Sequence, residues 1–261
     1  MRHVSFLLII LYSLFCFQPA PVRSAFYGES TTGFFQLEKK YPYYLFVPPE
    51  YTPEKTWPLI VLTAERGEDP KKTIEPWVEW AKYHKILITA VPQLVPEHEV
   101  PSSADEWLLA VKREIVERYH VDPANVLLVG RGFSGHYVAY VGFSFPREFS
   151  GIASIGEAWS GPFETLMRAT KNPKDQAAFY VAADPKAETY SAIEKKALEL
   201  AKKGYQVKVD TLLSGEDELR YRDSMLQWFA ENAESRSLKV RSRANSKTKG
   251  IGEIWKNLFQ M

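Results

Sequence analysis

Five short apolar runs limit what this chain can fold into. Leu59–Thr63, Ile86–Val91, Val126–Gly130, Ile152–Ile155 and Phe179–Ala183 carry almost no polar alternation, and turn residues bound them. A strand that is apolar in both directions must be covered on both faces, as in a sheet sandwiched between helical layers. Phe34–Glu38, Tyr43–Val47 and Gln206–Leu212 read as further strands. Helical spacing fills the intervals. Ser103-Ala104-Asp105-Glu106 has the form of a capping box, ahead of Trp107, Leu108, Val111, Ile115 and Val116. Ala187–Lys203 ends at Gly204, and Asp217–Ala230 carries Leu219, Met225, Leu226, Trp228 and Phe229. Alternation of this kind predicts a single α/β domain over residues 25–234, with a mostly parallel central sheet flanked by helices. With 45% hydrophobic residues in 261, the chain has material for a sizeable core.

Both ends depart from this pattern. Arg2 and His3 precede an apolar run from Val4 to Phe17, and Val22-Arg23-Ser24 offers a cleavage site before Ala25. A basic start, a short apolar centre and a small residue at the cut predict a signal peptide over residues 1–24, hence a secreted or periplasmic protein. The competing reading is an uncleaved anchor, but fourteen apolar residues fall short of the ~20 that span a bilayer. The only cysteine, Cys16, lies in this segment, so the mature chain would have no thiol for a disulfide, a metal or a nucleophile. Residues 235–261 hold seven Lys and Arg against one acid, Glu253. They read as a basic linker followed by a short amphipathic helix with Ile251, Ile254, Trp255, Leu258 and Phe259 on one face. That tail is expected to dock on its own acidic domain or on a partner; an anionic surface is the alternative. The overall charge of +1 argues against a nucleic-acid partner.

The chemistry centres on Asn125-Val126-Leu127-Leu128-Val129-Gly130-Arg131-Gly132-Phe133-Ser134-Gly135-His136, where a strand runs into a glycine-rich turn and a helix begins. With Tyr44-Leu45-Phe46-Val47-Pro48, Trp57-Pro58-Leu59-Ile60-Val61-Leu62 and Tyr119-His120-Val121-Asp122-Pro123, this resembles the α/β-hydrolase superfamily over about residues 40–232. The nearest branch is similar to secreted carboxylesterases of the feruloyl-esterase and polyhydroxybutyrate-depolymerase type. The resemblance implies a nucleophile elbow, G-x-S-x-G, in which a strained turn lifts a serine above the sheet.

The residues expected to carry that chemistry are degenerate. Aligning Gly130 with the first glycine of the elbow puts Gly132 at the nucleophile position, and glycine has no atom with which to attack an ester. Sliding the frame makes Ser134 the nucleophile but puts His136 where close packing demands glycine. None of the five histidines follows residue 136, so Glu216 sits where the resemblance implies the base, and a carboxylate does not reproduce imidazole's two-sided proton transfer. Asp184, after Val181-Ala182-Ala183, matches the family's acid, with a helix N-cap as its other reading. The oxyanion turn reads Ala64-Glu65-Arg66-Gly67, and Glu65 would oppose a developing oxyanion unless Arg66 neutralises it.

The combination predicts a pseudoenzyme of the serine carboxylesterase type. Its relic cleft would bind an unknown small ligand or protein through Glu65, Arg66, Arg131, Phe133 and Trp159. The alternative is an active ester hydrolase using Ser134 with an unorthodox base, His98 being the fallback. Trp57, Trp77, Trp80, Trp107 and Trp228 read as core. No cofactor is implied, and Glu97, His98, Glu99 and Asp184 lack the spacing of a metal site.

Overall fold

The structure, a computed structural model, describes residues 30–36, 40–92, 104–159, 177–212 and 221–232. Eight strands form one sheet: β1 (Ser30–Gln36), β2 (Lys40–Phe46), β3 (Trp57–Thr63), β4 (Leu87–Val91), β5 (Val121–Arg131), β6 (Gly151–Ile155), β7 (Ala178–Ala183) and β8 (Val207–Thr211). Their order across the sheet is β1-β2-β4-β3-β5-β6-β7-β8. β1 and β2 are antiparallel to each other, β2 is antiparallel to β4, and every later pairing is parallel. The helices are α1 (Pro70–Ile74), α2 (Val78–His84), α3 (Ala104–Arg118), α4 (Phe133–Ser144), α5 (Tyr190–Lys202) and α6 (221–232), with a 3-10 turn at Glu75–Trp77.

Strand periodicity divides the core in two. Leu59 and Val61 of β3, Leu128 of β5 and Ile152 of β6 point to the side holding Trp107 of α3, Val138 of α4 and Ile193 of α5. Ile60 and Leu62, Leu127 and Val129, and Ala153 and Ile155 point to the other side, against Ile74, Trp77, Met225, Trp228 and Phe229. That double cover is why the runs are apolar throughout rather than alternating.

Most element boundaries agree with the sequence reading within a few residues, and the exceptions have local causes. The first strand lies at Ser30–Gln36, four residues before the expected start at Phe34, because its register is set by antiparallel pairing with β2. β5 begins at Val121, five residues early, since Trp57 pairs with Val121 ahead of an irregularity in the register. The helix expected from Ala187 begins only at Tyr190, because the Asp184 side chain holds a turn by accepting from the Lys186 amide. Its stop is confirmed: Gly204 has φ +90°, a conformation that favours glycine.

Two buried polar groups tie the helices of one layer together. Asp105 of α3 accepts hydrogen bonds from the Tyr137 and Tyr140 hydroxyls of α4, at 3.1 and 2.9 Å. Burial lifts its carboxyl above the ordinary aspartate range, although both hydrogen bonds oppose the shift. Lys112 of α3, also buried, donates to Glu148 at 2.8 Å, and Arg113 pairs with the same carboxylate. Burial pushes Glu148 up, but the hydrogen bonds from Arg113 and Lys112 together hold it below the ordinary glutamate range.

The signal-peptide residues 1–24, the basic tail 235–261 and Ser103 of the capping box lie outside the described residues, as do His98 and Glu216. No helix among the described residues is long and apolar enough to cross a membrane.

Candidate functional site

Parallel pairing brings the carboxyl ends of β3, β5, β6 and β7 to one edge, where open α/β sheets place their sites. β5 ends at Arg131, and α4 starts two residues later at Phe133. The single residue between them, Gly132, has φ 52° and ψ −128°. This is strained backbone for an L-residue with a side chain, and it reverses the chain sharply enough for α4 to fold back on β5.

The glycines define where this turn is centred. A Cβ on Gly130 would stand 2.3 Å from the Ser134 carbonyl oxygen, so residues 130 and 134 close on each other and only glycine fits at 130. A Cβ on Gly135 would stand 2.1 Å from the Glu157 carbonyl oxygen, where the end of β6 meets α4. By contrast, a Cβ on Gly132 would meet nothing closer than the Glu65 carboxylate at 3.4 Å, an ordinary contact. The turn is therefore centred on residue 132. A side chain there would point to the space that the Glu65 carboxylate borders.

Ser134 is fully buried, and its hydroxyl donates to the Ala64 carbonyl at 2.7 Å. This bond fastens the first turn of α4 to the loop after β3. On that loop the Ala64 amide donates to Val91, and the Glu65 amide donates to the Glu68 carboxylate at 3.2 Å. Two N–H groups of the turn after β3 thus already have acceptors, one of them negatively charged. Glu68 also accepts from the Thr73 hydroxyl at 3.0 Å.

The expected ligand-binding residues separate into two groups. Glu65 and Arg131 come together, with Arg131 Nε 3.5 Å from Glu65 Oε1. Both line a cavity of about 90 Å³ at the ends of β3, β5 and β6. The cation standing against Glu65 is thus Arg131, where the sequence pointed to Arg66. Arg66 is exposed on the same loop and does not line the cavity. Phe133 is half-buried and meets the His136 ring edge-on, with centroids 6.1 Å apart. Trp159 requires a correction, since the sequence reading put it in the cleft. It is buried against Phe179, beside a different cavity under α5, with its own backbone left-handed at φ +57°. Asp184 stands at the end of β7 with its carboxylate in the turn to Lys186.

Two features were missed. His136 is buried one turn into α4, and its Nε2 lies 2.7 Å from Glu157 Oε2. Arg222 of α6 is buried and lines the Glu65 cavity. Its signal was present in the sequence: Arg222 lies on the stripe of Met225, Leu226 and Phe229 at i, i+3, i+4 and i+7, where an apolar residue is the rule. No group of three or more His, Cys, Asp or Glu side chains able to hold a metal ion occurs among the described residues.

No protein-family profile matches the sequence, and no curated protein matches it. Solved structures do. A thermostable esterase superposes with a TM-score of 0.59 at 17% identity, over 77% of this chain and 62% of that one. A fluorophosphonate-binding serine hydrolase of Staphylococcus aureus gives 0.59 at 9% identity, over 78% and 98%. A fungal esterase of Rhizomucor miehei gives 0.60 at 13%, over 79% and 83%. Esterases and serine hydrolases are thus this chain's structural neighbours, and with the sheet order and the turn at Gly132 they show that it has the α/β-hydrolase fold.

Proposed function

We propose that this chain is a secreted α/β-hydrolase-fold protein that has lost serine-esterase activity and keeps its cleft to bind a ligand or partner. The observation that carries this reading is residue 132. The elbow conformation is present there, at φ 52° and ψ −128°, but its occupant has no side chain. The hydroxyl two residues further on, that of Ser134, is buried and bonded to a carbonyl. Losing a triad nucleophile costs about 10⁶ in kcat, so a glycine at this point leaves little of the serine chemistry. The acceptors already on the Ala64 and Glu65 amides support the same reading.

The test is to treat the purified chain with a fluorophosphonate and with an activated ester. No covalent adduct and no burst are expected. Gly132→Ser alone is expected to leave the chain inactive, because no histidine follows residue 136 to serve as base.

A second reading, ester hydrolysis through Ser134 with an unorthodox base, draws on the His136–Glu157 pair, an imidazole held by a carboxylate beside the elbow. It requires the Ser134 hydroxyl to leave the Ala64 carbonyl. Stoichiometric labelling at Ser134 would establish it and overturn the first reading.

Export rests on residues 1–24; an exported protein whose amino terminus is Ala25 would support it, and retention of Met1 would refute it. For residues 235–261 we favour docking on the domain or on a partner over an anionic membrane. Equal sedimentation with anionic liposomes of the full chain and a chain ending at Glu234 fits that preference, and tail-dependent, salt-sensitive pelleting overturns it.

A further inference from the structure

Arg222 is 2% exposed and has the least complete surroundings of any buried charge among the described residues. Its Nη1 donates to the Pro76 carbonyl at 2.6 Å, and its guanidinium lies 4.2 Å from the centroid of the Trp77 ring. Nε has no hydrogen-bond partner, and among the described residues no carboxylate pairs with it. Stacking on an aromatic face offsets only part of the cost of burying a cation, so such a group is completed by a hydrogen-bonding anion.

The cavity that Arg222 lines has the chemistry to supply one. Its floor is apolar, made by Leu62, Val129 and Ile155 at the strand ends together with Trp77. Among the described residues its charged lining consists of Glu65, Glu68, Lys72, Arg131 and Arg222, a net of +1. Glu65 faces Arg131, and Glu68 and Lys72 are both exposed, so the charge at the buried end is that of Arg222. A monoanion balances a net of +1, whereas a dianion would overshoot it beside two carboxylates. A volume of about 90 Å³ suits a guest of a few heavy atoms.

We infer that this cavity is a subsite for a short-chain monocarboxylate, with the carboxylate on Arg222 and the alkyl body against Leu62, Val129, Ile155 and Trp77. The inference rests on the reading of the cleft as a binding site and names the class of ligand. The bound group would be an organic acid, the kind of product that ester hydrolysis releases.

The probe is sodium butyrate, titrated into the full chain at constant ionic strength and followed by calorimetry and by ligand-observed NMR. A six-atom ligand is expected to bind with a Kd of about 1 mM. Butyramide, which keeps the shape without the charge, and inorganic phosphate, which keeps charge without the alkyl body, are each expected to bind about tenfold more weakly or not at all. Arg222→Met is expected to weaken butyrate binding at least about tenfold. Arg222→Lys, which keeps the charge and guards against a folding defect in the methionine variant, is expected to retain part of it.

Equal binding of phosphate and butyrate would reduce the site to a general anion site and overturn the inference. So would the absence of butyrate binding to the unsubstituted chain, or undiminished binding by a folded Arg222→Met. Labelling of Ser134 by a fluorophosphonate would overturn the proposed function instead and leave the carboxylate site standing, so the two failures are distinguishable.

Discussion

Replacing Gly130 by alanine tests the geometry on which the reading of the elbow depends. The added methyl would lie 2.3 Å from the Ser134 carbonyl oxygen and 2.9 Å from Val138 Cγ1, where ordinary contact begins at 3.4 Å. The first obstacle is backbone in the opening turn of α4 and has no rotamer to change. Relief requires α4 to lift from β5, against the Ser134–Ala64 and Ser154–Gly135 hydrogen bonds that hold it down. Overpacking typically costs about 1–3 kcal/mol, and an immovable neighbour puts this case near 3 kcal/mol.

Gly132→Ser provides the contrast. It meets only the Glu65 side chain at 3.4 Å, so its cost is the positive φ, about 1–2 kcal/mol, partly offset by the lower entropy of the unfolded chain. At about 2–4 °C per kcal/mol for a domain of this size, Gly130→Ala should melt roughly 6–12 °C below the unsubstituted chain and Gly132→Ser roughly 2–4 °C below it. Thermal unfolding followed by circular dichroism reads both. If Gly132→Ser proved the more damaging, or Gly130→Ala melted with the unsubstituted chain, the turn would not be centred on residue 132, and Ser134 would return as the candidate nucleophile.

Ser134→Ala leaves the Ala64 carbonyl without its donor and is expected to lower stability by about 1–2 kcal/mol in denaturant titration, with no change in the background rate toward activated esters. Asp105 has a folded pKa above its unfolded value, so the stability linked to its proton is present at low pH and is lost as pH rises through the raised value. Asp105→Asn should flatten that part of the stability–pH curve, and an unchanged slope would refute the assignment. Glu148 has the opposite sign: its depressed pKa gives stability above the ordinary glutamate range that is lost as pH falls through the folded value. Glu148→Gln should cost about 2 kcal/mol at neutral pH by leaving the buried Lys112 without its counter-charge, and the deficit should shrink in acid; an equal deficit at both pH values would count against this account.

The chain's local pattern determined the fold class. Continuous apolar runs such as Val126–Gly130 and Phe179–Ala183 have no stable arrangement except between two covering layers, and that requirement is visible without coordinates. The Gly-Arg-Gly turn was equally legible, because a strand reversing directly into a helix needs a residue that tolerates φ +52°. What the sequence alone left open was which side chains meet across it. Two frames for the elbow could be laid on Gly130 to His136, the second only by placing His136 where close packing demands glycine. The 2.3 Å approach of Ser134 to position 130 separates them, and that distance exists only once α4 has folded back on β5. Along the chain the cation beside Glu65 was Arg66, and the parallel pairing of β3 with β5 brought Arg131 to it instead. Trp159 could have faced the cleft or the core, and the packing against Phe179 put it in the core. Arg222 belongs to the same class: it lies 145 residues beyond Trp77, and only the packing of α6 on the sheet places the guanidinium over that ring. Periodicity is a property of neighbours in sequence, whereas a binding cavity is made by residues that tertiary packing brings together from distant segments.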